Sequence, residues 1–524
     1  MVDKNAERIK AWQSENLPVA ETGLLDIVKV PRDGLRPSQR KNLHFTTEVE
    51  ESIQQAEIII VGVNTPTKAV GTGSGYLLDS SVLEDVVMCI ARSARSNKIV
   101  VEKSTVPVGT GETVRDILRN NAHTGVKFEV LSNPEFLAEG TAVQNLLQPD
   151  RVLIGCLETK NGFLAAETLA SVYATWIPRE RIITMNLFSS ELSKLAANAL
   201  LAQRISSINA LSIICEATGA DIQQVAKAVG SDSRIGPHML RASFGFGGSC
   251  FKKDIRSLVY LCKCLHLDDV AAYWEAILNI NEKQKSRSVA RIVSRFNNNM
   301  NGKKIAILGF AFKENTGDTR ESCAIDLVKG FLHEGASVSI YDPLVQESQI
   351  REDLGIDCAA DGGLDNRLTI CQSGEEACTG AHGVLVATNW GTFKVKPKGS
   401  TNPLSHTNTT NRLRETTFAI NASDIVDGQT ILHRETCTVS VVETRLEHKG
   451  SHHGDCSCTN LHRSKPDFQG HADNGGLQLK SLDWDHVARV MTYPRIVFGS
   501  SACLDPNVLE SMGFTVEIIG KKVW

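Results

Sequence analysis

Residues 303–309 are Lys-Lys-Ile-Ala-Ile-Leu-Gly and residues 338–343 are Val-Ser-Ile-Tyr-Asp-Pro, with a helical pattern over about 322–335 between them. Half of a Rossmann-like unit consists of an apolar strand, a glycine turn, a helix and a second strand that ends in an acidic residue. The apolar run 384–387 predicts another strand of the same sheet. These residues therefore predict an α/β fold with parallel strands.

The first part of the chain has the same alternation of strands and helices. Five short apolar runs have the composition of strands that are buried on both faces of a parallel sheet. These runs lie at 58–61, 98–101, 128–131, 151–155 and 182–185. Stretches with helical spacing, including 79–96 and 110–122, lie between them, so a further α/β unit is predicted.

A helical region separates the two α/β units. Residues 189–218 contain neither Gly nor Pro, which predicts one long, mostly buried helix that ends at Gly219. More helical sequence follows over 254–299. The chain is thus predicted to have two Rossmann-like parallel-sheet domains joined by a helical middle domain with a long central helix. The predicted segments are a first Rossmann-like domain (1–188), the middle domain (189–301), a second Rossmann-like domain (302–395 and 479–524) and an insertion (396–478).

The insertion 396–478 differs in composition from the rest of the chain. It holds 7 of the 14 His and has few apolar runs, so it is predicted to be disordered or loosely ordered. His452, His453, Cys456 and Cys458 are residue types that bind zinc, but no second pair stands at the spacing of a structural zinc site. A solvated loop is the preferred interpretation, and no metal is expected.

The overall composition excludes several classes of protein. With 524 residues, of which 42% are hydrophobic, the chain can form cores, and it is therefore not a wholly disordered or fibrous protein. A net charge of −4 argues against nucleic acid or an anionic membrane as a partner. No run of 18 apolar residues exists, so no membrane span is expected. Scattered Cys and a start without a signal-peptide pattern predict reduced thiols in the cytoplasm.

A glycine-rich segment precedes the most reactive candidate, Cys250. Residues 245–254 are Gly-Phe-Gly-Gly-Ser-Cys-Phe-Lys-Lys-Asp, and the cysteine is predicted at the start of the next helix. Glycines let a ligand approach the backbone closely, and a helix N-terminus with neighbouring lysines favours the thiolate that a covalent nucleophile needs. A structural cysteine after a flexible loop is the alternative, and the segment alone does not decide between them.

Lys194 and Asn198 form a second candidate pair. They are four residues apart in the predicted long helix, so they share one helical face. In apolar surroundings, a lysine and an amide can stabilise an oxyanion or position a water. Without further context, a lysine that reaches solvent from an ordinary helix is the simpler interpretation.

Three polar loops directly follow predicted strands of the first unit. The loop 132–140 contains Glu135 and Glu139, which can act in acid–base chemistry or bind hydroxyl groups. The other two loops are 64–67 and 104–107. Pro and Asn also favour ordinary turns, but the carboxyl ends of parallel strands are where α/β sheets bind ligands. Three such loops at one edge of a sheet therefore predict a binding site.

These segments resemble the UDP-glucose/GDP-mannose dehydrogenase family, and within it the eukaryotic UDP-glucose dehydrogenases. The resemblance runs almost continuously from Asp3 to about Trp390 and resumes at about Leu482. Besides the segments above, its most specific parts are 200–209, 309–322 and 519–523.

The resemblance implies an NAD-dependent enzyme that oxidises the 6-hydroxymethyl group of UDP-glucose to a carboxylate. Cys250 matches the family's nucleophile, which carries the substrate as a thiohemiacetal and then as a thioester that water hydrolyses. Lys194 matches a lysine that stabilises oxyanionic intermediates, with Asn198 as its partner. The residues matched to proton handling and to the hydrolytic water are Asp254, Glu135 and Thr105.

The resemblance also implies binding residues for both nucleotides, and a homo-oligomer, a dimer or larger, that assembles through the middle domain. The residues matched to NAD contacts are Asp3, Arg8, Val63, Asn64, Thr65, Pro66, Thr67, Ser104, Thr105, Val106, Glu139 and Arg320. The residues matched to UDP-glucose contacts are Glu135, Phe136, Leu137, Ala138, Glu139, Lys194, Asn198, Arg234, Arg241, Phe244, Gly245, Phe246, Gly247 and Lys313.

The sequence departs from the family pattern at three places. Asp3 matches the ribose-binding acid, so the first strand, the glycine-rich loop and the first helix are expected to be absent from this chain, with apolar neighbours exposed. Ser501 stands where the family has a substrate-binding arginine, and 396–478 replaces a short connection. Two alternatives stay open, namely a truncated or inactive relative that binds UDP-sugar or co-assembles, and an enzyme for another sugar nucleotide such as GDP-mannose.

Overall fold

The computed structural model describes residues 1–19, 21–34, 41–356, 365–395 and 479–522. Two sheets lie in the two halves of the chain, and helices occupy the sequence between them, which confirms the predicted fold class. The predicted insertion 396–478, with its His and Cys cluster, lies outside the described residues.

The strands and helices have the following bounds. The strands are β1 Ile58–Val61, β2 Lys98–Glu102, β3 Phe128–Ser132, β4 Val152–Cys156, β5 Ile182–Asn186, β6 Lys304–Leu308, β7 Ser337–Tyr341, β8 Leu368–Ile370, β9 Gly383–Val386, β10 Ile496–Gly499 and β11 Thr515–Ile518. The helices are α1 Ala6–Gln13, α2 Leu24–Lys29, α3 Val49–Gln55, α4 Ser81–Ser93, α5 Thr110–Asn121, α6 Ala142–Leu147, α7 Lys160–Tyr173, α8 Leu187–Thr218, α9 Ile222–Gly230, α10 Phe251–Cys264, α11 Asp268–Ser294, α12 Cys323–His333, α13 Glu347–Leu354, α14 Gly374–Cys378, α15 Trp484–Val490 and α16 Pro506–Ser511. No helix in these ranges is long and apolar enough to cross a membrane.

The first sheet has the order β1-β2-β3-β4-β5, and each predicted apolar run forms a strand within one residue of its predicted bounds. Its β3 and β4 are antiparallel neighbours that pair at Ser132 and Gly155, so the sheet is mixed rather than wholly parallel. The connection between them, residues 133–151, contains the short helix α6. At the edge, Ile60 of β1 is 56% exposed, so an apolar strand faces open surroundings.

The long helix α8 forms the spine of the middle domain. Its first turn is capped by Asn186, whose side chain accepts a hydrogen bond from the Ser189 amide at 2.8 Å. It ends at Gly219, which adopts φ 88°, and this confirms the predicted end of the helix. The helices α10 and α11 pack against α8 and against each other.

The second sheet is parallel throughout, in the order β11-β10-β9-β6-β7-β8. The acid predicted at the end of β7, Asp342, accepts hydrogen bonds from the amides of Phe310 at 2.6 Å and Ala311 at 3.0 Å. The Trp390 indole donates to the same oxygen at 3.2 Å. Asp342 therefore fixes the turn after β6 and is not free to bind a ribose.

Glu517 on β11 connects the second sheet to α11. Its side chain is 1% exposed and forms ion pairs with Arg291, at 3.2 Å, and with Arg295. Alanine at this position would remove the carboxylate that pairs with Arg295 and one of the two that pair with Arg291, in a partly buried region. We expect Glu517→Ala to lower the free energy of unfolding by about 2–3 kcal/mol in urea denaturation.

The matched control is Glu510→Ala on the exposed face of α16. We expect it to change the free energy of unfolding by less than about 0.5 kcal/mol. Equal losses in the two variants would show that the ion pairs of Glu517 do not stabilise the fold.

Candidate active site

Cys250 lies at the N-cap of α10, as predicted, and follows a tightly packed glycine segment. A Cβ at Gly247 would lie 2.4 Å from the carbonyl oxygen of Glu321, so no larger residue fits there without a shift. The amide of Gly248 donates to the carbonyl of Arg320 at 2.8 Å. The glycines therefore allow the second Rossmann-like domain to approach the backbone beside the thiol.

Buried amide side chains of the middle domain hold the loop that leads to Cys250. Asn281 accepts from the Phe246 amide at 2.8 Å and donates to its carbonyl at 3.1 Å. Asn209 accepts from the Ser243 amide at 2.8 Å, and Gln284 donates to the Ser243 carbonyl at 2.8 Å. Sequence reasoning missed these three amides, because only the fold shows that they meet the loop.

Lys194 is buried and paired with a carboxylate. Its side chain is 5% exposed, so the simpler interpretation of a lysine that reaches solvent is wrong. The ammonium donates to the backbone oxygen of Glu135 at 2.5 Å and to its Oε1 at 2.9 Å. The other carboxylate oxygen of Glu135 accepts from the Leu137 amide at 2.6 Å. A fixed cation and a fixed carboxylate thus lie side by side after β3.

Asn198, predicted as the partner of Lys194, is hydrogen-bonded instead to Asp254. The Asn198 amide donates to Oδ2 of Asp254 at 2.5 Å, and Asp254 lies one helical turn after Cys250. The Asp254 side chain is fully buried, and its Oδ1 has no hydrogen-bond partner among the described residues. Burial raises the pKa of Asp254 in spite of the hydrogen bond from Asn198 and the nearby lysines. Such a carboxyl can hold a proton or order a water.

The three predicted loops at the strand ends of the first sheet meet. The Ser104 hydroxyl bonds both the amide and the carbonyl of Val63, and Thr65 donates to the Thr105 carbonyl at 2.6 Å. The third loop joins them through Asn133, which accepts from Lys103, the residue before Ser104, at 3.0 Å. The other residues predicted in these loops are placed as follows: Asn64 and Pro66 are exposed, Val106 is buried, and Thr67 forms a bridge with Leu78.

The second Rossmann-like domain reaches the first through Glu139. Its carboxylate accepts from the Thr316 hydroxyl at 3.2 Å and from Arg320 at 3.0 Å, and Arg320 also pairs with Asp318. Burial and the neighbouring Asp318 raise the pKa of Glu139. The predicted residues Glu139 and Arg320 therefore lie where loops of both domains meet.

Several predicted binding residues lie outside these contacts. Arg234 is exposed and pairs with Asp232 at 2.6 Å, and Arg241 is also exposed. Phe244 and Phe246 are buried in hydrophobic clusters. The Lys313 ammonium lies 5.5 Å from the Phe312 ring, and Phe136 stacks on Arg151 at 3.8 Å. Ser501 is exposed, as are Leu137 and Ala138 in the loop after β3, and Gly245 lies in the glycine segment before Cys250.

Asp3 and Arg8 lie together near the N-terminus. Arg8 donates to the Asp3 carboxylate at 3.0 Å, and the Asp3 side chain remains 20% exposed. An accessible carboxylate beside a guanidinium suits the ribose hydroxyls of a dinucleotide. These two residues, with the strand-end loops, therefore fit the NAD that the fold implies.

The fold and the site together define the class of protein. The chain has two Rossmann-like domains and a thiol site where they meet the helical domain, which is the arrangement of a nucleotide-dependent dehydrogenase. Models of the UDP-glucose/GDP-mannose dehydrogenase family match the chain in three parts: the NAD binding domain over 1–177, the central domain over 188–283 and the UDP binding domain over 306–434. The chain belongs to the UDP-glucose/GDP-mannose dehydrogenase family, and it is an NAD-dependent oxidoreductase.

Relatives and solved structures agree with this assignment. The chain is 53% identical over 404 residues to UDP-glucose 6-dehydrogenase 2 of Arabidopsis thaliana, covering 75% of this chain and 82% of the relative. It is 49% identical to UDP-glucose 6-dehydrogenase 1 of Glycine max, with 82% and 88% covered. A solved UDP-glucose dehydrogenase from Pyrobaculum islandicum is 31% identical with a TM-score of 0.65, covering 74% of this chain and 84% of that one.

Proposed function

We propose that this chain oxidises the 6-hydroxymethyl group of UDP-glucose to a carboxylate, through a covalent intermediate on Cys250. The observation that carries the proposal is the position of Cys250 at the start of α10, one turn before Asp254, which is bonded to Asn198 of α8. Lys194, one turn before Asn198 in the same helix, adds a buried cation. The names of the 53% and 49% identical relatives support UDP-glucose as the substrate.

The first part of the proposed reaction forms the covalent adduct. Bound NAD⁺ supplies the hydride acceptor for each of the two oxidations. After the alcohol is oxidised to the aldehyde, the Cys250 sulfur attacks the aldehyde carbon, a C–S bond forms and the carbonyl electrons move to oxygen. The Lys194 ammonium stabilises this oxyanion, and protonation gives the thiohemiacetal. The same carbon then loses its hydride while its hydroxyl gives up a proton toward Asp254 and its ordered water, which leaves a thioester on Cys250.

The second part releases the product. Water attacks the thioester carbon, the C–S bond breaks, and the products are the carboxylate and the free thiol. Glu135, held by Lys194 and the Leu137 amide, is proposed to take the water proton. Asp254 and Asn198 are proposed to order a water and to move protons at the thiohemiacetal stage, with Thr105 near the hydrolytic water.

Stoichiometry and binding test the proposed function. The full chain is expected to form two NADH per UDP-glucose consumed, with UDP-glucuronate as the product, and to leave GDP-mannose unchanged. NADH formation from GDP-mannose alone would assign a different sugar nucleotide. Calorimetric binding of UDP-glucose without any binding of NAD⁺ would instead identify an inactive relative.

We also propose the predicted domain boundaries 1–188, 189–301 and 302–395 with 479–524, and a cytoplasmic location. The start of α8 at Leu187 and the end of α11 at Ser294 support the middle boundaries. All ten cysteines in the described ranges are free thiols, which suits a reducing compartment.

An exposed apolar face of α8 supports a homo-oligomer. Its residues recur at the spacing of one helical face, and a stripe of this kind usually packs against a partner. They are Phe188, Leu192, Leu200, Leu211 and Ile214. We expect Leu200→Lys to shift the protein from oligomer to monomer in size-exclusion chromatography with light scattering. The control Leu164→Lys, at an exposed position of α7, should keep the oligomer, and an unchanged mass in both variants would contradict this interface.

A further inference from the structure

We propose that Lys103 receives the proton that thioester hydrolysis releases and passes it to solvent through a cavity behind Glu135. The inference rests on the proposed function, because it deepens the hydrolytic step. Lys103 directly follows β2, and it is not among the site residues that the resemblance to the family implies.

The surroundings of Lys103 fix its ammonium nitrogen in one place. It donates to Oδ1 of Asn133 at 3.0 Å and to the Tyr173 hydroxyl at 3.2 Å. Tyr173 itself donates to the same Asn133 oxygen at 2.7 Å, and the Asn133 amide donates to the Leu153 carbonyl at 2.7 Å. A neutral amine has two N–H groups, which these two acceptors use, and its lone pair is then left for a proton.

Lys103 and Glu135 line the same cavity, which is open to solvent. Lys103 therefore shares a water-accessible space with the carboxylate proposed to take the water proton. The charged or titratable groups around the amine are Glu135 and Lys194 from the catalytic side, Tyr173 from α7, and Asp150 and Arg151 on the cavity wall.

The electrostatics of the site suit a proton acceptor. Burial lowers the pKa of Lys103, Glu135 raises it and the Lys194 charge lowers it, and together these effects bring it to about 8. The amine is thus charged below about pH 8 and neutral above it. In hydrolysis both O–H bonds of water break. One proton goes to the Cys250 sulfur as the C–S bond breaks, and the other moves to Glu135, through cavity water to the Lys103 lone pair, and then to solvent. The carboxylate product and the Cys250 thiol complete the balance.

Two variants of the full chain test the proposal. Lys103→Met removes the amine, and Lys103→Arg keeps the positive charge but does not deprotonate. We expect wild-type protein to form NADH in a burst, which reports sulfur attack and hydride transfer, and then in a slower phase, which reports hydrolysis. We expect both variants to keep the burst. The rate of the later phase should fall about tenfold or more, and its increase with pH around pH 8 should disappear. A thioester adduct on Cys250 should then accumulate in the intact-protein mass spectrum. If either variant had a later phase with the wild-type rate and the wild-type increase with pH, the proposal would be overturned.

A direct titration separates this proposal from the proposed function. Trace acetylation with acetic anhydride, followed by peptide mass spectrometry, measures the reactivity of Lys103 at each pH without any turnover. A midpoint near pH 8 supports the proposal. A reactivity that is still rising at pH 10, or no acetylation at any pH, contradicts it. Failure of UDP-glucose oxidation by wild-type protein, with a Lys103 midpoint near pH 8, would count against the proposed function alone.

Discussion

Replacing Cys250 by serine is expected to lower steady-state turnover of UDP-glucose about a thousandfold or more. The serine hydroxyl stays protonated near neutral pH, so it is a poor nucleophile for the aldehyde carbon. An ester formed on serine would also be hydrolysed more slowly than a thioester. NADH formation measures the loss, and calorimetry should show that UDP-glucose still binds.

Cys264 provides the matched control for this substitution. It lies at the other end of α10 and is exposed, so Cys264→Ser should leave turnover unchanged. Full turnover by Cys250→Ser would eliminate the covalent mechanism. Equal losses in both variants would point to damage of α10 rather than to the loss of a nucleophile.

Replacing Lys194 by methionine is expected to lower kcat by about a hundred- to a thousandfold. Methionine keeps much of the side-chain volume but cannot stabilise an oxyanion, and it leaves the Glu135 carboxylate without its cation at 2.9 Å. The loss should appear mainly in kcat and less in KM, because the oxyanion develops only after substrate binds.

Lys160→Met is the control for the loss of a lysine, because Lys160 is exposed at the start of α7. It should retain the kcat of the wild-type protein. Thermal unfolding of the Lys194 variant separates loss of chemistry from loss of fold. A wild-type kcat in Lys194→Met would show that this cation does not stabilise the reaction's intermediates.

Local pattern was enough to predict much of the fold. The run Ile58–Val61 forms a strand with the predicted bounds, and Gly219 ends the long helix as expected. Both features depend on residues that are adjacent in the chain, namely a continuous apolar run and a residue that tolerates positive φ. The antiparallel pairing of β3 with β4 was not predictable in this way, because it depends on the path that residues 133–151 take between the two strands.

The candidate site also has some features that the local sequence predicts and others that it does not. The glycine segment and the position of Cys250 at a helix start were visible in the sequence. The environment of Lys194 was not, since Glu135 lies 59 residues away in the chain. The supporting residues Asn281, Gln284 and Lys103 were also missed, because an amide or a lysine has no local pattern that distinguishes a buried support from an exposed side chain.

The sequence by itself determined the class of fold, the strands and helix ends, and Cys250 as the candidate nucleophile, because these follow from short-range periodicity, glycine geometry and thiol chemistry. Only the tertiary structure decided the partners of the polar groups and the direction in which their pKa values shift. Asp254 meets Asn198 across 56 residues of sequence, and burial raises the pKa of its carboxyl. Desolvation and hydrogen bonding depend on what packs around a group in space, and neighbours along the chain do not specify that.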